Sequence, residues 1–111
     1  MTEEREVVVT GIGAVTPFGV GVNALWDALI SGRSAIKPIG SFDAAPYPCR
    51  IAGEIADYES TLPAQEAARL DRGALFAIDA ARQALADAGL PITQENAIQV
   101  GLAVGCARPG V

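Results

Sequence analysis

The 111 residues contain no histidine. That absence removes the commonest general acid–base side chain and the commonest metal ligand together. Cysteine occurs twice, at Cys49 and Cys106. Two distant thiols make no disulfide framework, and without histidine they suggest no zinc site; a reduced compartment suits them. Basic residues are few, 8 Lys and Arg against 13 Asp and Glu, for a net charge of −5. A general nucleic-acid binder shows a basic face, so that role is disfavoured. No apolar run approaches the roughly 20 residues needed to cross a bilayer. The opening MTEERE is acidic and lacks the apolar stretch of a signal peptide, which predicts a cytoplasmic location.

What is present favours a folded core. Half of the residues are hydrophobic and 19% are charged, a balance opposed to disorder. The length suits one small domain and not two. Residues 7–9 are three consecutive valines, the pattern of a strand buried on both faces. Gly11, Gly13 and Gly19 then permit tight turns. Val22, Leu25, Trp26, Leu29 and Ile30 fall on one helical face, and Gly32 supplies a stop. Strand, turn and helix in this order predict the start of a β-α-β unit.

Pro38, Gly40, Pro46 and Pro48 make residues 34–48 irregular, and a short second strand is expected around residues 50–55. Residues 61–68 read as a loop or a single helical turn. Residues 71–88 carry the strongest helix signal. Leu70, Ala74, Ala77, Ala81, Leu85 and Ala88 share a face, Gly89 ends the helix and Pro91 prevents its resumption. The alanine-rich face predicts close packing on a sheet. Residues 97–105, AIQVGLAVG, read as another buried strand.

The glycine turn invites a dinucleotide reading, which needs G-x-G-x-x-G between strand and helix. Gly11 and Gly13 supply two glycines, but Thr16 occupies the third position and no acidic residue closes a second strand about 20 residues on. The Gly-Lys-Ser/Thr of a P-loop is also missing. A tight strand-to-helix turn is the better reading.

Five segments carry a resemblance: VVVTGIGAVTPFG (7–19), LWDALISGRSAI (25–36), FDAAPYPCRIAGEI (42–55), RLDRGALFAIDAARQALADAGL (69–90) and VGLAVG (100–105). In this order and spacing the chain resembles the β-ketoacyl synthases, condensing enzymes of thiolase fold. Residues 5 to 105 are covered. The resemblance implies an α/β fold: the N-terminal, incomplete part of a layered α/β/α/β/α sandwich, with residues 1–111 as the first portion of its N-terminal domain. It makes residues 7–19 scaffold.

The activity implied is acyl transfer, in which acyl chains grow by decarboxylating Claisen condensation with malonyl-carrier protein in fatty acid biosynthesis. The partner implied is acyl carrier protein, full-length members are homodimers, and no cofactor, nucleic acid or membrane is expected. A cysteine at a helix N-terminus, where the dipole favours the thiolate, takes the acyl group. Two histidines assist decarboxylation and hold the enolate oxygen. These three residues lie beyond position 111 in the family pattern, so no catalytic residue is assigned. Cys49 reads as an exposed loop cysteine, and Cys106 lies outside the nucleophile motif.

Two positions depart from the pattern. Before the long helix a basic cluster helps dock the acidic carrier protein; here Arg69 keeps its charge, while Gln65 and Ala68 are neutral. Near the end, Arg108 falls where an apolar residue lines the acyl pocket, and an unpaired guanidinium would be costly there. Agreement stops at Cys106, which predicts a shifted reading frame or a truncated gene; an exposed terminal turn is the alternative. Competing readings are a fragment of a polyketide ketosynthase or its chain-length partner, a non-catalytic module binding carrier protein, and a nucleotide-binding oxidoreductase. Losing several members of a catalytic set costs powers of ten in rate. Residues 1–111 incubated with acyl- and malonyl-carrier protein are therefore expected to give no 3-oxoacyl product above a no-protein control, measured by mass spectrometry.

Overall fold

The computed structural model describes residues 3–107. Two short antiparallel pairs and two longer helices make up most of its regular structure. β1 (Val15–Thr16) and β2 (Gly19–Val20) pair Val15 with Val20 and Thr16 with Gly19. Pro17 and Phe18 form the two-residue turn between them. The Phe18 N–H donates to Thr16 Oγ1 at 3.2 Å, and Gly19 takes φ 131°, open to glycine and strained for other residues.

Helix α1 (Val22–Ile30) follows at once. β3 (Lys37–Pro38) and β4 (Ile51–Ala52) form the second pair, Lys37 opposite Ala52 and Pro38 opposite Ile51. Next come the four-residue helix α2 (Ala64–Ala67), helix α3 (Arg72–Ala88) and a 3-10 turn, Ala97–Gln99. Both long helices close the same way. Gly32 and Gly89 adopt the left-handed conformation. Beyond them Arg33 N–H reaches Ala28 O and Leu90 N–H reaches Leu85 O, each at 3.0 Å. These are Schellman closures, which satisfy carbonyls that the helix end would orphan. At its start α3 is capped by Asp71, which accepts from Ala74 N–H at 2.7 Å.

The central contact joins α3 to the extended segment 11–14. Gly11 lies against Ala84 and Ala88, and Gly13 against Ala80 and Gln83. A Cβ on Gly11 would come within 2.6 Å of Ala88 N, and one on Gly13 within 2.8 Å of the Ala80 carbonyl carbon. The helix also supplies acceptors to the segment: Ile12 N–H donates to Asp87 Oδ2 at 3.0 Å and Ala14 N–H to Gln83 Oε1 at 3.1 Å. The glycines at 11 and 13 are there to admit a helix. That helix fills the glycine face a pyrophosphate would need, which argues against the dinucleotide reading.

Several expectations are corrected. Residues 7–9 are extended but unpaired and exposed, Val7 at 93%. No strand among the described residues lies beside them to complete a ladder. The strand expected at 97–105 is instead the 3-10 turn followed by unpaired residues, with Ile98 exposed at 94%. The start of a β-α-β unit is replaced by antiparallel pairs. The second strand shrinks from 50–55 to Ile51–Ala52, and its partner lies within the segment read as irregular.

The buried face of α3 is also rotated. Ala77 is exposed, and Leu75 and Asp79 are the buried residues of the helix. The rotation brings the Asp79 carboxylate under two hydroxyl groups that can solvate it. On α1, Ala28 alone is buried, while Trp26, Leu29 and Ile30 are exposed. Among the described residues the buried apolar ones are Ala28, Ala44 and Leu75, and the radius of gyration is 17.6 Å against about 13 Å for a compact domain of this length. Much of the apolar surface thus lies open.

Forcing a methyl group into a tight contact costs about 1–3 kcal/mol. Gly13→Ala, which drives its Cβ into the Ala80 carbonyl oxygen, is expected to lose at least that much, read as a lowered urea midpoint. Gly101→Ala, with nothing within 4 Å of its added Cβ, is expected to leave the midpoint unchanged.

Candidate functional site

The residues with most chemistry gather where the segment after β4 crosses α3. Tyr58 and Thr61 lie on that segment and Asp79 on the helix below them. Asp79 is 2% exposed. A buried carboxylate is costly unless paired and hydrogen-bonded, and this one is satisfied on both oxygens. The Tyr58 hydroxyl donates to Oδ2 and the Thr61 hydroxyl to Oδ1. Arg82, one turn along the helix, donates to Thr61 Oγ1 at 3.1 Å.

Burial disfavours the Asp79 charge, but hydrogen bonds from Thr61 and Tyr58 and the Arg82 guanidinium outweigh it and hold the carboxyl below its ordinary range. Burial raises the Tyr58 phenol above its ordinary value, reinforced by its bond to the Asp79 carboxylate. Tyr58 is also wedged by packing. Its ring meets Phe76 edge to face at 4.7 Å between centroids. The Arg72 guanidinium lies over both rings, 5.9 Å from Tyr58 and 5.2 Å from Phe76, and donates to the Ile55 carbonyl.

A second carboxylate, Glu54, sits nearby, two residues after β4. Glu54 accepts from the Gly40 N–H at 2.7 Å, the Ser41 N–H at 3.3 Å and the Ser41 hydroxyl. Those bonds, the Ser41 hydroxyl foremost, lower its pKa. A cleft runs between this loop and the helix, lined in part by Ser41, Glu54, Asp57, Arg72 and Phe76. Asp57 on its rim holds φ 52°, a left-handed conformation that aspartate tolerates better than most residues.

From Tyr58 to Asp71 the chain forms an arch. The Asp79 bonds fix one foot and the Asp71 cap fixes the other. Between them the α2 residues and Arg69 are mostly exposed. Arg69 therefore stands on a presented surface, with the acidic Glu66 one turn before it and Gln65 and Ala68 uncharged. Arg108 lies outside the described residues. Cys49 and Cys106 are free and exposed, and Cys49 Sγ lies 3.5 Å from the Ile51 carbonyl oxygen. Among the described residues no cluster of three His, Cys, Asp or Glu could hold a metal ion, and no helix is long and apolar enough to cross a membrane.

The Tyr58–Thr61–Asp79 cluster went unread in the sequence. Its one signal is an aspartate in the middle of the apolar window ALFAIDAA (74–81).

Comparison with known proteins agrees with the segments quoted above and runs past Cys106, against the expectation that agreement stops there. Residues 4–109 match the family described as β-ketoacyl synthase, N-terminal domain. The chain is 41% identical over 111 residues to 3-oxoacyl-[acyl-carrier-protein] synthase 2 of Coxiella burnetii and 42% identical over 111 residues to that of Synechocystis. Each alignment spans 98% of this chain and 27% of the relative. It is 44% identical over 107 residues to the tetracenomycin polyketide synthase ketoacyl synthase alpha subunit of Streptomyces glaucescens, spanning 94% of this chain and 25% of that one. A solved structure, the ishigamide ketosynthase/chain length factor, superposes with a TM-score of 0.62 at 34% identity, over 76% of this chain and 21% of its own. The chain thus spans about a quarter of the length of the relatives it matches.

Both carboxyls have folded pKa values below their ordinary ones, so the folded state binds fewer protons than the unfolded state in acid. Their contribution is complete above the ordinary values, about 3.9 for Asp and 4.3 for Glu, and is lost as pH falls through the lowered ones. The urea midpoint is expected to hold between about pH 5 and 7 and to decline below about pH 4. Asp79→Asn should lower it at pH 7 and flatten the acid decline.

Proposed function

This chain belongs to the β-ketoacyl synthase family, and on that premise we propose that it serves as the first portion of the N-terminal domain of a 3-oxoacyl-[acyl-carrier-protein] synthase. In such an enzyme acyl chains grow by decarboxylating condensation with malonyl-carrier protein in fatty acid biosynthesis. The observation that carries this reading is identity of 41% and 42% to two such synthases across 98% of the chain. The layered thiolase-like sandwich, acyl carrier protein as partner, a homodimeric whole and a cytoplasmic setting belong to the same proposal. The superposition on a ketosynthase supports the sandwich.

Within such an enzyme this stretch contributes scaffold and surface. It has no histidine, and both of its thiols are exposed, without a histidine to activate them. Segment 11–14 packs on α3, and the arch before α3 offers Arg69 to an acidic carrier protein. One exposed arginine is a rim charge; it steers and orients more than it binds. The 44% identity to a polyketide ketoacyl synthase subunit favours a second reading, in which the same scaffold serves polyketide assembly.

A graft tests the proposal. Residues 4–107 of this chain replace the matching segment of the Coxiella burnetii synthase. The chimera is expected to make 3-oxoacyl product from acyl- and malonyl-carrier protein. Arg69→Glu in it should raise the KM for carrier protein by about 2–5-fold, the size of a rim charge, with kcat unchanged. A folded chimera that makes no product counts against the assignment.

A further inference from the structure

We propose that Asp79 is a positioning residue for the α2 arch: its buried carboxylate clasps Tyr58 and Thr61 and so fixes where the exposed surface around Arg69 stands. Asp79 itself touches no part of that surface. Where the arch docks carrier protein the clasp aims it, and in that respect the inference rests on the preceding reading.

Three observations carry it. First, the bonds have a fixed direction. Arg82 donates into the Thr61 oxygen, which turns the Thr61 proton toward Asp79 Oδ1, while Tyr58 O–H points to Oδ2. Two hydroxyl donors converging on one side chain require an acceptor on each of its oxygens, and an ionised carboxylate is acceptor-only. Asparagine would turn an N–H₂ toward one of those hydroxyls: at Oδ1 the Thr61 proton would lose its partner, whereas at Oδ2 Tyr58 would turn its own to the Leu75 carbonyl, 3.1 Å away.

Second, the clasp reaches far in sequence, 21 residues from Tyr58 and 18 from Thr61. It fixes a tertiary position rather than a local turn. Third, the arch has little else to hold it. α2 has no side-chain cap and no buried residue, and its backbone bonds, such as Ala67 N–H to Pro63 O at 2.9 Å, are internal. Releasing the Asp79 foot would leave Tyr58 its ring packing and a bond to the Leu75 carbonyl, and would leave the Thr61 hydroxyl bonded to Arg82 alone. The helix below has its own cap and backbone ladder, so the arch should loosen while α3 stays.

The test uses the whole chain and two probes. Trypsin under native conditions reads opening of the arch at Arg69. Amide hydrogen exchange reads α3 over residues 83–88. Asp79→Asn is expected to raise the rate of cutting after Arg69 by about tenfold, the size of a lost buried hydrogen bond. Thr61→Val, which removes one bond and keeps the carboxylate, should raise it less, and the double variant should cut no faster than Asp79→Asn alone. Protection of residues 83–88 should stay within about twofold throughout. An unchanged cutting rate in both single variants overturns the proposal. So does a loss of α3 protection that parallels the cutting in both, which would make Asp79 a support of the helix. No carrier protein takes part, so failure here is distinct from failure of the grafted enzyme.

Discussion

The rest of the structure hangs on the closeness of α3 to segment 11–14. At two alternate positions the extended chain has no side chain, and at 80, 84 and 88 the helix shows alanine. Backbone can then meet helix at a distance that a Cβ on either glycine would forbid. The N–H groups that follow each glycine, those of Ile12 and Ala14, find acceptors on Asp87 and Gln83. One edge of the segment is thereby satisfied by side chains of the helix rather than by a neighbouring strand. The β1–β2 hairpin follows from it directly, because the chain enters the hairpin from this fixed position.

From that seam the polar cluster gains its setting. The same helix that offers alanines to segment 11–14 carries Asp79, and its cap at Asp71 and closure at Gly89 hold it straight between the two contacts. The segment after β4 is drawn down by Asp79 and by the stacking of Arg72 on Tyr58 and Phe76. Most residues between Tyr58 and Asp71 are exposed as a consequence of being held at both ends.

Much of this was legible in the residues. Helix 71–88 was readable because its period, its glycine stop and its following proline all agree. The shorter helix was readable from its period and its glycine stop at Gly32. The family was legible because five segments fall in register, each too weak alone. The strands at 7–9 and 97–105 were not legible as they stand, since a valine run reports burial in a sheet and a sheet needs a partner strand. A sequence window sees propensity and cannot see whether that partner is present. The docking expectation at Arg69 is compatible with its exposure, but the clasp that steadies the arch was hidden. Tyr58, Thr61 and Asp79 are joined across about 20 residues by bonds that no period or motif announces.

The alanine ridge of α3 has an entropic side. Alanine and glycine have no rotamers to lose, so the seam between helix and segment forms without freezing any side chain of its apolar surface. Its ordering cost falls on the backbone at Gly11 and Gly13, the two most freely rotating positions of the segment. The ordering cost of the seam thus falls on the backbone at the two glycines and on the Gln83 and Asp87 side chains that its hydrogen bonds hold, rather than being spread over a packed core. Its persistence depends on how freely residues 11–14 wander when unbound, which no inventory of the contacts in the folded seam can reveal.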